Sequence, residues 1–127
     1  MLLDTNALIW ALSAPKKFGR QFIRRFEGAG WAYYSPLSVF ELQLLARKHR
    51  GPQVSKDITK MLSEIGLVEL SYSSDAALTA SDFGHLANTD PFDWMLISQA
   101  SAAGVDFYTS DQRLLSLGLR FVKDSSV

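Results

Sequence analysis

Met1-Leu2-Leu3-Asp4-Thr5-Asn6-Ala7-Leu8-Ile9-Trp10 opens the chain. Its apolar start suits a buried parallel strand, the acid and small polar residues mark a junction, and the apolar run from Ala7 suits a helix. Asp4 is therefore expected at the carboxyl end of a strand, the edge where open α/β sheets bind ligands. Three later stretches set acids at a comparable junction or at a helix start: Ser38-Val39-Phe40-Glu41, Asp90-Pro91-Phe92-Asp93 and Thr109-Ser110-Asp111. The expectation is that these four stretches meet.

Outward from this first junction, strands and helices are expected to alternate. A short helix over 7–12 ends at Ser13-Ala14-Pro15, and a helix over 19–27 carries Phe22, Ile23 and Phe26 on one face with Arg20, Arg24 and Arg25 mostly opposite. Aromatic content makes 31–34 a strand. A long helix over 37–50 is expected to bury Leu37, Phe40, Leu44 and Leu45. Beyond the Gly51-Pro52 break come a helix over 54–65 stopped by Gly66, a strand over 67–70, a helix over 74–86 and a helix over 91–103 stopped by Gly104. A strand over 105–108, a short helix over 112–117 and a strand over 120–122 complete the order. Such alternation implies right-handed βαβ crossovers and an α/β fold of three layers, α/β/α, around a central parallel sheet of about five strands.

The totals bound the function classes. At 127 residues the chain has the size of one domain, 1–127, and its 47% hydrophobic and 20% charged content excludes a disordered polymer. Without cysteine, disulfides, thiolate metal sites and a cysteine nucleophile are excluded. Thirteen basic and thirteen acidic residues cancel, so global charge gives no sign of a nucleic-acid partner. No apolar run reaches the ~18 residues of a membrane span. With no leader-like segment at the start, a cytoplasmic location and no membrane association are expected.

Each acid has a plain structural explanation. Ser38-x-x-Glu41 matches a capping box; Asp90 followed by Pro91 matches an N-cap with proline at the first helical position. Asp4 and Asp111 would each oppose the positive end of a short helix. Capping and clustering are compatible, however, because helix starts that follow parallel strands share one edge of the sheet. Carboxylates gathered there repel: two unit charges ~4 Å apart cost about 4 kcal/mol at an effective dielectric of 20. Apart from Arg113, no basic residue adjoins these stretches in sequence, which leaves a hard divalent cation, Mg²⁺ or Mn²⁺, as the neutralising partner. His49 and His85 are poorly placed to be ligands.

Leu-Leu-Asp4-Thr-Asn, Ser-x-x-Glu41-Leu, Asp90-Pro-Phe-Asp93-x-x-Leu-Ile-x-Gln-Ala and Tyr-Thr-Ser-Asp111 together resemble the PIN domain. More narrowly, they resemble VapC-type toxins of bacterial toxin-antitoxin pairs, along the whole chain and in the same order. The resemblance implies an Mg²⁺-dependent ribonuclease whose acids fall on Asp4, Glu41, Asp93 and Asp111. Asp4 and Asp93 are then expected as direct metal ligands, Asp111 as a direct or water-mediated one, and Glu41 at a second metal or the attacking water. Thr5, Asn6, Ser38, Asp90 and Thr109 are expected to support these acids. Arg20, Arg24, Arg47, Lys48 and Arg113 are the candidates for holding RNA. The pattern departs at Trp94, where arginine usually follows.

The same resemblance implies an antitoxin partner and a homodimer, with the aromatic and aliphatic residues of the early helices as candidate surfaces. Two other readings share the features. Acids at strand ends also occur in aspartyl-phosphate phosphoryl-transfer domains, which need a nearby lysine that these junctions do not offer. A catalytically silent PIN-like binding module would need none of the acids.

Overall fold

The computed structural model of the chain describes residues 1–127. At its centre is β1 (Leu2–Leu3), which pairs in parallel with β2 (Ala32–Tyr34) on one side and with β4 (Phe107–Thr109) on the other. Beyond them lie β3 (Leu67–Glu69) and β5 (Val122–Asp124), so the five-stranded sheet runs β3-β2-β1-β4-β5, all parallel. The order reverses at β1: the chain steps outward through β2 to β3, then crosses back to the far side of β1. A crevice is therefore expected beyond the carboxyl ends of β1 and β4.

Alternation along the strands divides the core between the two faces of the sheet. Leu3 and Tyr108 join one cluster with Leu8, Phe22 and Leu62; their neighbours Leu2 and Phe107 join the other, with Phe83, Leu96 and Ile97. The first cluster is covered by α1 (Thr5–Ser13), α2 (Arg20–Ala29), α3 (Pro36–Arg47) and α4 (Ile58–Glu64). Helix α6 (Pro91–Ala103) and α7 (Gln112–Leu115) cover the second. The three-layer α/β/α expectation is met.

Several boundaries differ from those read in the sequence, each for a local reason. The expected helix over 74–86 divides into α5 (Ser74–Thr79) and a 3₁₀ segment, Ala80–Leu86, with Phe83 outside helical geometry. The Thr79 and Ser81 hydroxyls donate to the Asp75 and Leu78 carbonyls there, the local competition that loosens helices. Helix α4 starts only at Ile58, because the Asp57 N–H donates to the Ser55 hydroxyl in a preceding turn. Strand β4 starts at Phe107 because the Val105 N–H still closes onto the Ala100 carbonyl of α6. Strand β5 lies two residues later than expected, since the Val122 N–H closes a turn onto Leu119. A 3₁₀ turn at Pro15–Lys17 had no counterpart in the reading. Phe40, expected in the core, is 63% exposed; Ser38 and Leu42 occupy the inner face of α3 instead.

The last residues return to α2. The Gly19 N–H donates to the Ser125 carbonyl and the Phe22 N–H to the Val127 carbonyl, both at 3.0 Å. A Cβ at Gly19 would stand 2.0 Å from the Val127 carbonyl carbon, so only glycine admits the tail at this distance. No helix is long and apolar enough to cross a membrane.

Candidate functional site

The crevice at the reversal of strand order is built around Asp4. This residue caps α1: its Oδ1 accepts from the Ala7 N–H at 2.6 Å. Its Oδ2 accepts from the Thr109 hydroxyl at 2.5 Å, and the same Thr109 oxygen accepts from the Asp111 N–H at 3.0 Å. One buried hydroxyl thus ties the end of β1 to the end of β4. Beside them, the exposed Asn6 donates through Nδ2 to the Ser110 hydroxyl at 3.1 Å.

Helix α3 brings Glu41, though not by the expected capping box. The N-cap is Ser35, which accepts from the Leu37 N–H at 3.1 Å ahead of Pro36. Pro36 then takes the first helical position, where a missing N–H costs nothing. Ser38 lies inside the first turn, fully buried, with its hydroxyl 3.0 Å from that of Thr5; Thr5 in turn donates to Glu41 Oε1 at 2.5 Å. Asp90 does cap α6, accepting from the Phe92 N–H at 2.8 Å, and this places Asp93 in the first turn. Asp111 caps α7. Asp4, Glu41, Asp90, Asp93 and Asp111 all open onto one cavity of about 470 Å³, as do Thr5 and Asn6.

The acids there are not electrically alike. Burial pushes Asp4 up to about 6; the Thr109 and Ala7 hydrogen bonds hold it down, and the Glu41 and Asp111 charges add to the rise. Burial and the neighbouring Asp90, Asp4, Glu41 and Asp111 carboxylates push Asp93 up to about 7, with no opposing influence. Glu41 is also raised, chiefly by burial and against its bond from Thr5. Asp111 is lowered, because Arg113 donates to it from Nε at 3.1 Å and from Nη2 at 2.7 Å.

Of the basic residues proposed from sequence to hold RNA, only Arg113 lines this cavity; Arg20, Arg24, Arg47 and Lys48 do not. The reading missed Arg50, which does. Helix α3 ends in a Schellman motif with His49 at the left-handed position (φ 54°): the His49 N–H donates to Ala46 and the Arg50 N–H to Leu45. That turn brings Arg50 back over the helix, and its one sequence signal was the Gly51-Pro52 break after a basic run. Trp94, at the usual arginine position, donates from Nε1 to the Ala80 carbonyl at 3.0 Å and packs against the core, away from the cavity. Neither histidine lines the cavity.

As the side chains lie, no group of three or more acids or histidines is arranged to hold a metal ion. The donor set nonetheless fits a hard cation. It consists of carboxylate and hydroxyl oxygens, and three of its acids are held at raised pKa by burial and by neighbouring carboxylates, which a bound divalent charge would relieve.

The sequence pattern of the PIN domain family matches residues 1–118, a span that includes all four acids. No curated protein matches the chain. Among solved structures, the fold is similar to a chain of VapBC2 from Rickettsia felis bound to a promoter DNA fragment, at 15% identity and TM-score 0.70, covering 97% of this chain and 96% of that one. It is similar to a chain of a toxin-antitoxin complex from Klebsiella pneumoniae (18% identity, TM-score 0.64, 96% and 94% covered). A chain of DNA-bound VapBC from Salmonella typhimurium is similar at 22% identity, with TM-score 0.70 and 97% and 96% covered. Identities this low carry the likeness of fold alone. The family assignment rests instead on the sequence pattern, which runs through the first four strands and every junction that supplies an acid, and by it the chain belongs to the PIN domain family.

Proposed function

We propose that residues 1–127 work as a single PIN domain with Mg²⁺- or Mn²⁺-dependent endoribonuclease activity, the toxin of a VapC-type toxin-antitoxin pair acting in the cytoplasm. The observation that carries this reading is the convergence of Asp4, Glu41, Asp93 and Asp111, from four separate elements, on one cavity at the sheet's reversal, with only Asp111 paired to a cation. Its two bases are arginines rather than the lysine that an aspartyl-phosphate site needs, which favours hydrolysis over phosphoryl transfer.

In this reading Asp4 and Asp93 hold the ion directly and Asp111 holds it directly or through water. A divalent ion bound there supplies a coordinated water of lowered pKa and polarises the phosphodiester. Thr109 fixes the rotamer of Asp4, and the Ala7 N–H fixes its other oxygen, so the carboxylate meets its ligand preorganised. Glu41, held by Thr5, orients the attacking water or completes a second metal position. The attacking water would give one proton to a cavity carboxylate as its oxygen bonds to phosphorus, the bond to the leaving ribose oxygen would break, and that oxygen would take up a proton from solvent.

An antitoxin partner is supported by an apolar groove of about 410 Å³ between α1, α2 and β3, lined by Phe18, Phe22, Ile23, Phe26 and Ile65 among others. This is one of the surfaces to which the early helices contribute. A homodimer is supported by a second apolar exposure, Phe40 beside Phe92, whose ring centroids lie 6.1 Å apart. The test is cleavage of single-stranded RNA by the purified protein with Mg²⁺ and with EDTA. Cleavage should require the metal and should fall by more than about 100-fold in Asp93→Asn, beyond the loss typical of a supporting residue. Cleavage in EDTA, or an unimpaired Asp93→Asn protein, would refute the assignment.

A further inference from the structure

The acidic cavity poses a problem for the substrate assigned to it. An RNA strand entering a space bordered by Asp4, Glu41, Asp90, Asp93 and Asp111 meets five carboxylates; a divalent ion would serve the scissile phosphate, and a neighbouring backbone phosphate needs a cation of the protein's own. Two arginines line the cavity and they are not equivalent. Arg113 has its fork engaged on Asp111, through Nε and Nη2. Arg50 opens onto the same carboxylates and forms no ion pair with any of them; the Arg113–Asp111 pair is the only salt bridge in the structure.

The backbone that carries Arg50 is held firmly. His49 adopts the left-handed conformation that a helix end ordinarily reserves for glycine, and the Arg50 N–H closes onto the Leu45 carbonyl at 2.8 Å. Gly51 then lies so near α3 that a Cβ there would stand 3.0 Å from the Leu45 Cβ. The turn is tight, closed by hydrogen bonds, and delivers an uncommitted guanidinium to the cavity. That group presents a planar fork of donors that matches two phosphate oxygens, and it is always charged.

We propose that Arg50 is the phosphate-binding residue of this cavity, the group that seats a backbone phosphate of single-stranded RNA against the carboxylates. The proposal rests on the ribonuclease reading for the identity of the ligand, and on the cavity's geometry for the choice of Arg50. Arg113 stays engaged on Asp111; Arg50 touches substrate.

The test separates binding from cleavage. Binding of a labelled single-stranded RNA is measured by fluorescence anisotropy in EDTA, at a series of salt concentrations. Each phosphate contact on a single strand contributes about 0.7 to the slope of log affinity against log salt. Arg50→Ala should therefore flatten the slope by about 0.7, Arg50→Lys should restore it because the charge is kept, and Arg120→Ala should leave it unchanged. With Mg²⁺ present, Arg50→Ala should raise KM about tenfold with kcat little altered, the signature of lost ground-state binding. A slope unmoved by Arg50→Ala, in a protein that cleaves RNA, overturns the proposal and leaves the nuclease standing. A slope that flattens, in a protein that never cleaves, keeps Arg50 as a phosphate site and removes the nuclease. Loss of the thermal unfolding transition in Arg50→Ala, with Arg50→Lys also failing to restore the slope, would reduce Arg50 to a structural role.

Discussion

The buried side of the acidic cavity and its open side carry the same group in opposite conditions. Asp93 and Asp111 both belong to helix starts and both open onto the cavity, yet one is pushed up to about 7 and the other is held below its ordinary value. Asp93 is half-buried among other carboxylates and nothing opposes the rise, whereas Asp111 lies beside a guanidinium that donates to both of its oxygens. Asp4 belongs with Asp93, since burial outweighs its two hydrogen bonds. Asp4 and Asp111, which both cap helices, are thus distinguished by burial and partner alone. On the open side the carboxylate is paired to a guanidinium; on the buried side neither Asp4 nor Asp93 forms an ion pair.

The largest expected consequence of this contrast is a dependence of stability on pH that a metal should erase. A carboxylate whose pKa is raised on folding binds more protons in the native than in the unfolded state, so stability falls as pH rises through the interval between the two values. For Asp4 and Asp93 that interval runs from 3.8 to about 6 and about 7 respectively. In EDTA, urea unfolding of the wild type should therefore lose stability relative to Asp4→Asn as pH rises across this range. The difference at pH 8 should be on the order of 3 kcal/mol for Asp4 alone. Addition of Mg²⁺ at pH 8 should return most of it to the wild type and little to the variant. A parallel pair of pH profiles would show that the buried side is not electrostatically strained.

A smaller effect sharpens how that side is held. Thr109→Val keeps the shape but removes the hydroxyl on which Asp4 Oδ2 and the Asp111 N–H both depend. It should destabilise the fold by about 2 kcal/mol and lower metal-dependent cleavage by roughly 10–100-fold. Thermal unfolding and initial rates measure the two.

The smallest effect belongs to the open side. Arg113→Ala should free Asp111 for a cation and tighten Mg²⁺ binding by up to about fivefold, as befits an exposed ion pair. Calorimetric titration reads this directly, and weaker Mg²⁺ binding in the variant would mean that Arg113 organises the ligand sphere instead of competing with it.

The first ten residues disclosed much of this architecture, because a buried parallel strand and the helix after it carry different periodicities. Leu2-Leu3, Asp4 and the Ala7-Leu8 run register strand, junction and helix without help from distant contacts. The same local logic located α6, where Asp90-Pro91 and Gly104 mark both ends. It failed where tertiary packing chose between equally plausible local options. Ser38 and Ser35 are both adequate caps, and the pairing of Thr5 with Glu41 and Ser38 made the difference. Arg50 was invisible for a related reason: a basic run at a helix end reads as a solvated face, and only the turn at left-handed His49 sets one member of it at the rim of the cavity. The uneven titration of the acids was likewise beyond reach, since burial and the reach of Arg113 are properties of the assembled cavity.

The docking of Ser125 and Val127 against Gly19 has a practical corollary. Any affinity tag or fluorescent fusion joined after Val127 would emerge at the start of α2, whose Phe22, Ile23 and Phe26 wall the apolar groove on another flank. Such an attachment would tug on α2 while sparing the carboxylates, so a change in what the groove binds, in a tagged protein whose acidic cavity still took up Mg²⁺, would be reporting on its label.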